Sequence, residues 1–284
     1  MRLFITGSKG QLGSALAHQA SRRHEGQNVG GGDLPEFDIT DADQTRAVIA
    51  AARPDIVIHC AAFTDVDGAA RRPELAYRVN GLGTQNVALA CAATGAAMLY
   101  ISSNEVFDGT QRNPYREFDP THAANPYGYS KLAGEWFTAN LLTRFYIVRT
   151  SWLTAAGGRN FVHRIQQLAD SADAPLRVVT DEVACPTFVA DIVPALLQLI
   201  ETGSYGIYHF VNSGYCSRYD YARRILDLSG RGHVPIQPIT LADFARPSMP
   251  PRFSPLANLN GASLGITLRP WQEALMEYLQ TLSS

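Results

Sequence analysis

Lysine is almost absent from this chain: of 24 basic residues only Lys9 and Lys131 are lysine, and the other 22 are arginine. Where the bias toward arginine is so complete, each remaining lysine is a candidate for a task that needs a compact ammonium rather than a planar guanidinium. There is no block of basic residues, and the formal charge is −2, so the electrostatic footprint of a protein that binds nucleic acid or an anionic membrane is missing. Long apolar runs are missing too. The longest, Val87 to Ile101, is 15 residues with Thr94 and Gly95 inside it, short of the roughly 20 that a bilayer span needs. Met1-Arg2-Leu3-Phe4-Ile5 meets Thr6-Gly7 after three apolar residues, too few for a secretory signal, and the expected location is cytoplasmic.

The four cysteines lie far apart with no C-x-x-C pair, which excludes a zinc knuckle or a disulfide framework and leaves them as small buried residues. The seven histidines show no H-E-x-x-H or comparable ligand spacing, so no metal site is expected. What the chain does have is apolar material: 46% of 284 residues, enough for a substantial core.

That material is arranged in alternating units. Residues 2–6 form a short apolar strand that breaks into Gly7-Ser8-Lys9-Gly10-Gln11-Leu12-Gly13, followed by a helix to about Arg22. The pattern continues with a helix over Ala42–Ala52, strand Asp55–His59, a helix near Pro73–Thr94, strand Ala97–Ser102, helix Pro126–Leu142 and strand Phe145–Arg149. It predicts a Rossmann-type, doubly wound parallel α/β sheet with helices on both faces. The second strand, Asn28 to Asp33, holds three glycines and rests on its position in the alternation rather than on propensity. After Thr150 the texture loosens. Helices are expected near Asn160–Ala172, Val189–Ile200, Arg218–Leu228 and Trp271–Leu282, with strands at Leu176–Thr180 and Gly206–Phe210. The proline-rich stretch Arg246–Pro255 can be neither regular helix nor central strand. Residues 1–150 therefore read as a dinucleotide-binding domain and 151–284 as a smaller, partly interleaved lobe for substrate.

Gly7, Gly10 and Gly13 sit at a strand-to-helix junction, where backbone amides and the positive end of a helix dipole receive a pyrophosphate. Gln11 and Leu12 complete that turn. Asp33, 20 residues past Gly13, is placed to accept the adenosine ribose hydroxyls. Asp38 and Ile39 suit either an adenine pocket or entry into the next helix. Asp33 favours NADH while Lys9 could meet a 2′-phosphate, so the coenzyme is NADPH or NADH.

Tyr127-Gly128-Tyr129-Ser130-Lys131 places a phenol and an ammonium four residues apart on one helix face. With 12 tyrosines and two lysines in 284 residues, such a pair arises by chance about 12 × 2/284 ≈ 0.08 times. Asn125 is suited to cap this helix and Pro126 to occupy its first turn. Ser103 stands at the carboxyl edge of the sheet, where open α/β sheets bind ligands.

These motifs, with Thr64-Asp65-Val66-Asp67, Arg149-Thr150-Ser151-Trp152, Cys185-Pro186-Thr187 and Arg246-Pro247, resemble the extended short-chain dehydrogenases/reductases, and within them the dTDP-4-dehydrorhamnose reductase family, over nearly the whole length. The resemblance implies hydride transfer from a nicotinamide to the 4-keto carbon of a dTDP-linked 6-deoxysugar. Tyr127 would be the proton donor, with Lys131 lowering its pKa and holding the nicotinamide ribose, and Ser103 would bond the reacting oxygen. Ala61, Ala62, Phe63 and Asn80 would line the coenzyme. Trp152 would flank the sugar, and Arg246 and Arg252 would clamp the diphosphate. A homodimer is the assembly left open. One segment departs from the family: Ser-Thr-Asp-Tyr-Val-Phe is replaced by Ser102-Ser103-Asn104-Glu105-Val106-Phe107, which puts Asn104 and Glu105 in the expected substrate pocket. The rival readings are a nucleotide-sugar epimerase and a noncatalytic dinucleotide-binding subunit.

Overall fold

The computed structural model describes residues 1–23, 29–157 and 160–283. Strands β1 (Leu3–Thr6), β2 (Val29–Gly32), β3 (Ile56–His59), β4 (Ala97–Ser103) and β5 (Phe145–Thr150) pair in parallel, and strand Gly206–His209 adds to the outer edge of β5. From one edge the order is β2-β1-β3-β4-β5 and then Gly206–His209. The chain thus reverses its direction of travel between β1 and β3, the topological switch point at which open α/β sheets bind their ligands. The predicted β2 is present from Val29 onward; Asn28, its predicted first residue, lies outside the described residues. The strand tolerates its glycines because bare backbone leaves room for neighbours: a Cβ on Gly32 would come within 2.5 Å of the Phe37 ring.

Apolar periodicity places the helices. Helix α1 (Gln11–Arg23) buries Leu12, Leu16 and Ala20 and shares one face of the sheet with helix Val189–Thr202. On the other face lie α2 (Ala42–Ala52) and α5 (Thr84–Thr94), joined to α3 (Val66–Arg71) and α4 (Pro73–Ala76) and packed beside α6 (Pro126–Leu141). Both predicted caps of α6 form: Asn125 accepts a 2.9 Å bond from the Gly128 amide, and Pro126 opens the first turn. The single helix expected near Pro73–Thr94 is helical throughout, but Tyr77–Gly83 is a π-helical segment between α4 and α5, and α3 was not foreseen. A second core, built on Val162, Ile165, Tyr221, Ile225, Trp271 and Leu275, holds the loosely patterned later segments together. Because Gly206–His209 and Val189–Thr202 complete the first sheet and its layer, the two regions interleave along the chain. No helix among the described residues is long and apolar enough to cross a membrane.

Candidate active site

A cleft of about 950 Å³ runs along the carboxyl edge of the sheet from the β1 turn to the start of α6. Its near end is the glycine turn. Gly7 adopts φ +67°, and a side chain there would strike the Ala61 amide nitrogen at 2.7 Å. A Cβ on Gly13 would lie 2.1 Å from the Gly7 carbonyl oxygen. These glycines let the turn, the first turn of α1 and the segment after β3 approach to backbone contact. Gly10, Gln11, Leu12, Asp33, Asp38, Ile39, Ala61, Ala62 and Phe63 all line the cleft, as their sequence positions predict.

Asp33 is half-buried, and its two carboxylate oxygens accept the amides of Lys9 and Leu34, each at 2.8 Å. Asp38 organises its own loop by accepting the Thr40 amide and hydroxyl, both at 2.9 Å. Lys9 corrects an expectation: it contributes its amide, but its ammonium turns out of the cleft to Glu36 (2.6 Å) and the Leu34 carbonyl (3.2 Å). In the protein alone this exposed carboxylate is the partner of the cation.

At the far end Ser103, Tyr127 and Lys131 meet in the cleft wall. Burial and the Glu105 carboxylate push the Tyr127 phenol well above its ordinary pKa, against a hydrogen bond with Ser103 that lowers it. The lowering expected from Lys131 is not found in the protein alone, where burial and the Glu105 carboxylate set the direction. The phenol is a protonated donor at neutral pH. Lys131 is itself buried, with Nζ 4.3 Å from the centre of the Tyr100 ring, and burial brings its pKa down to about 7, opposed by Glu135 and Cys60. Beneath it Glu135 is spent in a bidentate pair with Arg149 (2.7 and 2.9 Å) and accepts the Ser102 hydroxyl at 2.5 Å.

Asn80 corrects a second expectation. It is fully buried behind the wall and does not line the cleft. Its amide accepts from the Phe63 amide (2.7 Å), donates to the Phe63 carbonyl (3.0 Å) and donates to Ser130 (2.9 Å), clamping the segment after β3 to α6. His59 supports the same clamp from below. Thr84 donates its hydroxyl proton to the Asn80 carbonyl (2.6 Å), so His59 Nε2 must donate to Thr84 (3.0 Å), and Nδ1 accepts from Thr6 at 2.6 Å. Burial and the Lys131 charge hold the His59 pKa near 3, which keeps the ring neutral. Cys60, expected in the core, instead lines the cleft half-buried; Cys91, Cys185 and Cys216 are buried.

Trp152 lines the cleft and also packs into the second core, stacked on Tyr221. Its φ of +41° is unusual for a bulky residue and turns the chain sharply after Arg149-Thr150-Ser151. The two predicted diphosphate clamps do not line the cleft. Arg246 is bonded to Asp67 (3.1 Å) and faces Glu182 (3.9 Å), while Arg252 is mostly exposed, 3.8 Å from Asp181. Two arginines do line the cleft, Arg78 and Arg218, and sequence reasoning missed both; Arg218 is the one beside Trp152. Its guanidinium lies 3.5 Å above the Trp152 ring and pairs with the buried Glu182 at 2.9 Å. Among 22 arginines nothing local marked it. Asn104 lines the cleft, accepting from Ser103 (3.3 Å) and donating to Ser254 (2.7 Å). Glu105 also lines it, accepting from Asn125 at 2.6 Å.

The chain matches the family model described as the RmlD substrate binding domain over residues 1–284. It is 39% identical over 280 residues to the dTDP-4-dehydrorhamnose reductase of Mycolicibacterium smegmatis, covering 97% of this chain and 84% of that protein. Among solved structures, a dTDP-4-dehydrorhamnose reductase from Clostridium acetobutylicum superposes with a TM-score of 0.94 at 36% identity, covering 100% of both chains. The Bacillus anthracis dTDP-4-dehydrorhamnose reductase, solved in complex with NADP, gives 0.92 at 35% identity over 99% of each chain. With matches of this extent, the chain belongs to the dTDP-4-dehydrorhamnose reductase family of extended short-chain dehydrogenases/reductases.

Proposed function

We propose that the protein reduces the 4-keto group of a dTDP-linked 6-deoxysugar, using NADPH or NADH. The observation that carries this reading is a single cleft with a phosphate-accepting glycine turn at one end and Ser103, Tyr127 and Lys131 at the other. The residues present suit a dinucleotide: backbone approaches that a Cβ would block line the near end, and the buried hydroxyls of Thr150 and Ser151 in the far wall have no protein partner. Gly7 to Gly13 and the start of α1 would hold the pyrophosphate, Asp33 the adenosine ribose, and Ala61 to Phe63 the middle of the coenzyme.

The reduced nicotinamide, when bound, supplies the hydride. The chain's own residues then manage the oxygen. As charge develops on the carbonyl oxygen, Ser103 holds it by a hydrogen bond and Tyr127 delivers its proton. The raised pKa of the phenol keeps that proton in place until the alkoxide, a far stronger base, takes it. Lys131, fixed beside Tyr100, would hold the nicotinamide ribose. Asn80 and His59 act through others, keeping Phe63 and α6 in register. Trp152 and Arg218 flank the sugar nucleotide, with Asn104 and Glu105 beside the reacting end.

Residues 1–150 are proposed as mainly coenzyme-binding and 151–284 as mainly substrate-binding, with Gly206–His209 returned to the first. A homodimer belongs to the same reading; the exposed Tyr129 and Trp136 on α6 leave an uncovered apolar face for it. The decisive experiment follows NADPH and NADH oxidation with dTDP-4-dehydrorhamnose and a panel of other dTDP-4-keto-6-deoxysugars, determining the C4 configuration of each product. Absence of oxidation across the panel overturns the proposal.

A further inference from the structure

Among the described residues the Glu105 carboxylate has one side-chain partner, Asn125, the cap of α6. Glu105 follows Ser103 by two residues, and its amide donates to the Ser103 hydroxyl at 3.2 Å, so the two side chains share one turn at the edge of the sheet. The start of α6 presses on the same turn: a Cβ on Gly128 would lie 2.1 Å from the Glu105 carbonyl oxygen. Asn125 holds one carboxylate oxygen at 2.6 Å. The cations around it are engaged elsewhere, Arg218 with Glu182 and Arg246 with Asp67, and among the described residues no ion pair reaches Glu105. A carboxylate kept for structure is ordinarily paired with a charge or saturated with hydrogen bonds. This one is oriented at a single oxygen and opens on the cleft beside the two hydroxyls that hold the substrate carbonyl.

We propose that Glu105 is a general base for the carbon next to the keto group, giving the protein a second activity: enolisation of its keto-sugar substrate. This rests on the keto-sugar reading above. The proton on the carbon α to the carbonyl, C3 or C5 of the sugar, passes to the Glu105 carboxylate. The C–H electron pair becomes a carbon–carbon double bond to C4, and the carbonyl pair moves onto oxygen. Ser103 and Tyr127 hold the resulting enolate oxygen with the same hydrogen bonds that serve reduction. Return of the proton restores the ketone. No oxidant or reductant takes part, and once the carboxyl exchanges with solvent the returning proton is a solvent proton. Burial, reinforced by Glu182 and opposed by Asn125, Arg246 and Arg218, brings the Glu105 pKa up to about 7, where a carboxylate both accepts and releases a proton readily.

The test uses the full-length protein with NADP⁺ in place of NADPH, so that reduction cannot proceed, and dTDP-4-dehydrorhamnose in D₂O. Deuterium at C3 and C5 is followed by NMR and mass spectrometry, while a parallel sample is assayed for NADPH oxidation. Deuterium should enter at least about tenfold faster than in a protein-free control. Glu105→Gln, whose amide oxygen can still accept the Asn125 bond, should slow exchange by about 100-fold, well beyond any loss it causes in reduction. Exchange no faster than the control, in protein that oxidises NADPH, overturns the proposal, as does exchange undiminished in the variant. A protein that neither exchanges deuterium nor oxidises NADPH with the panel overturns the keto-sugar reading itself.

Discussion

At the end of the cleft proposed for the coenzyme each wall is a strand end and the turn that follows it: Thr6 into Gly7, Gly32 into Asp33, His59 into Ala61. At the end proposed for the sugar the walls come from segments far apart in the chain. Trp152 is covered by Arg218, which is held by Glu182, and outside the cleft lining Arg246 is drawn to Asp67 across 179 positions. The first end is specified by short-range rules, a glycine where backbone must approach and a carboxylate after a strand. The second is specified by which charges find each other on folding. Ser103, Tyr127 and Lys131 lie where the two ends meet, and substitutions there and on either side measure how separable the ends are.

The largest effect is expected at the junction. Tyr127→Phe removes the proton donor and little else, so turnover should fall by about 100-fold or more with coenzyme affinity nearly unchanged. Wild-type turnover in that variant would remove Tyr127 from the chemistry. Lys131 should couple both ends. Its pKa of about 7 means that the ammonium is lost as pH rises through neutrality, so kcat/KM should decline on the alkaline side of about pH 7. Lys131→Met should weaken coenzyme binding and lower turnover by about 10- to 100-fold, and it should abolish that alkaline limb. A profile identical in both proteins would place the titration on another group.

The contrast between the ends explains what could be read in advance. The parallel sheet, the glycine turn, the capped α6 and its phenol–ammonium pair follow from local chemistry, and the structure contains each of them. The partner of Lys9 was not legible: Glu36, three residues beyond Asp33, competes for its ammonium, and sequence spacing says nothing of such competition. Asn80, put beside the coenzyme by the resemblance, lies instead behind the wall, in the π-helical segment Tyr77–Gly83, which has no simple periodic signature. Arg218 and Arg252 are indistinguishable as letters; only the fold puts one over Trp152 and leaves the other at the surface.

Arg218→Met tests the sugar end alone. It keeps an apolar stem against Trp152 but removes the charge and leaves Glu182 with only the more distant Arg246. KM for the sugar nucleotide should rise by about tenfold, and stability should drop by about 2 kcal/mol from the carboxylate left buried. Coenzyme affinity, measured by fluorescence titration, should change by less than about twofold if the ends are independent. A matching loss of coenzyme affinity would show that the cleft behaves as one unit.

The smallest effect belongs to Asp33, because its carboxylate is already shared between two backbone amides and has limited capacity left for a ligand. Asp33→Ala should cost NADH about 1 kcal/mol, roughly fivefold in affinity, through loss of the acceptor for the ribose hydroxyls. NADPH should be harmed less or should gain, since a negative charge is removed near where the 2′-phosphate would lie. Lys9 decides how far the preference moves. Its exposed pair with Glu36 is of the kind worth little in water, so a phosphate could draw the ammonium away, and adding Glu36→Gln should widen the NADPH preference further. The two coenzymes titrated side by side at constant ionic strength give the answer directly. Equal small losses for both would assign Asp33 to the turn that joins Gly7–Gly13 to β2, and would leave the choice of coenzyme to the backbone of that turn.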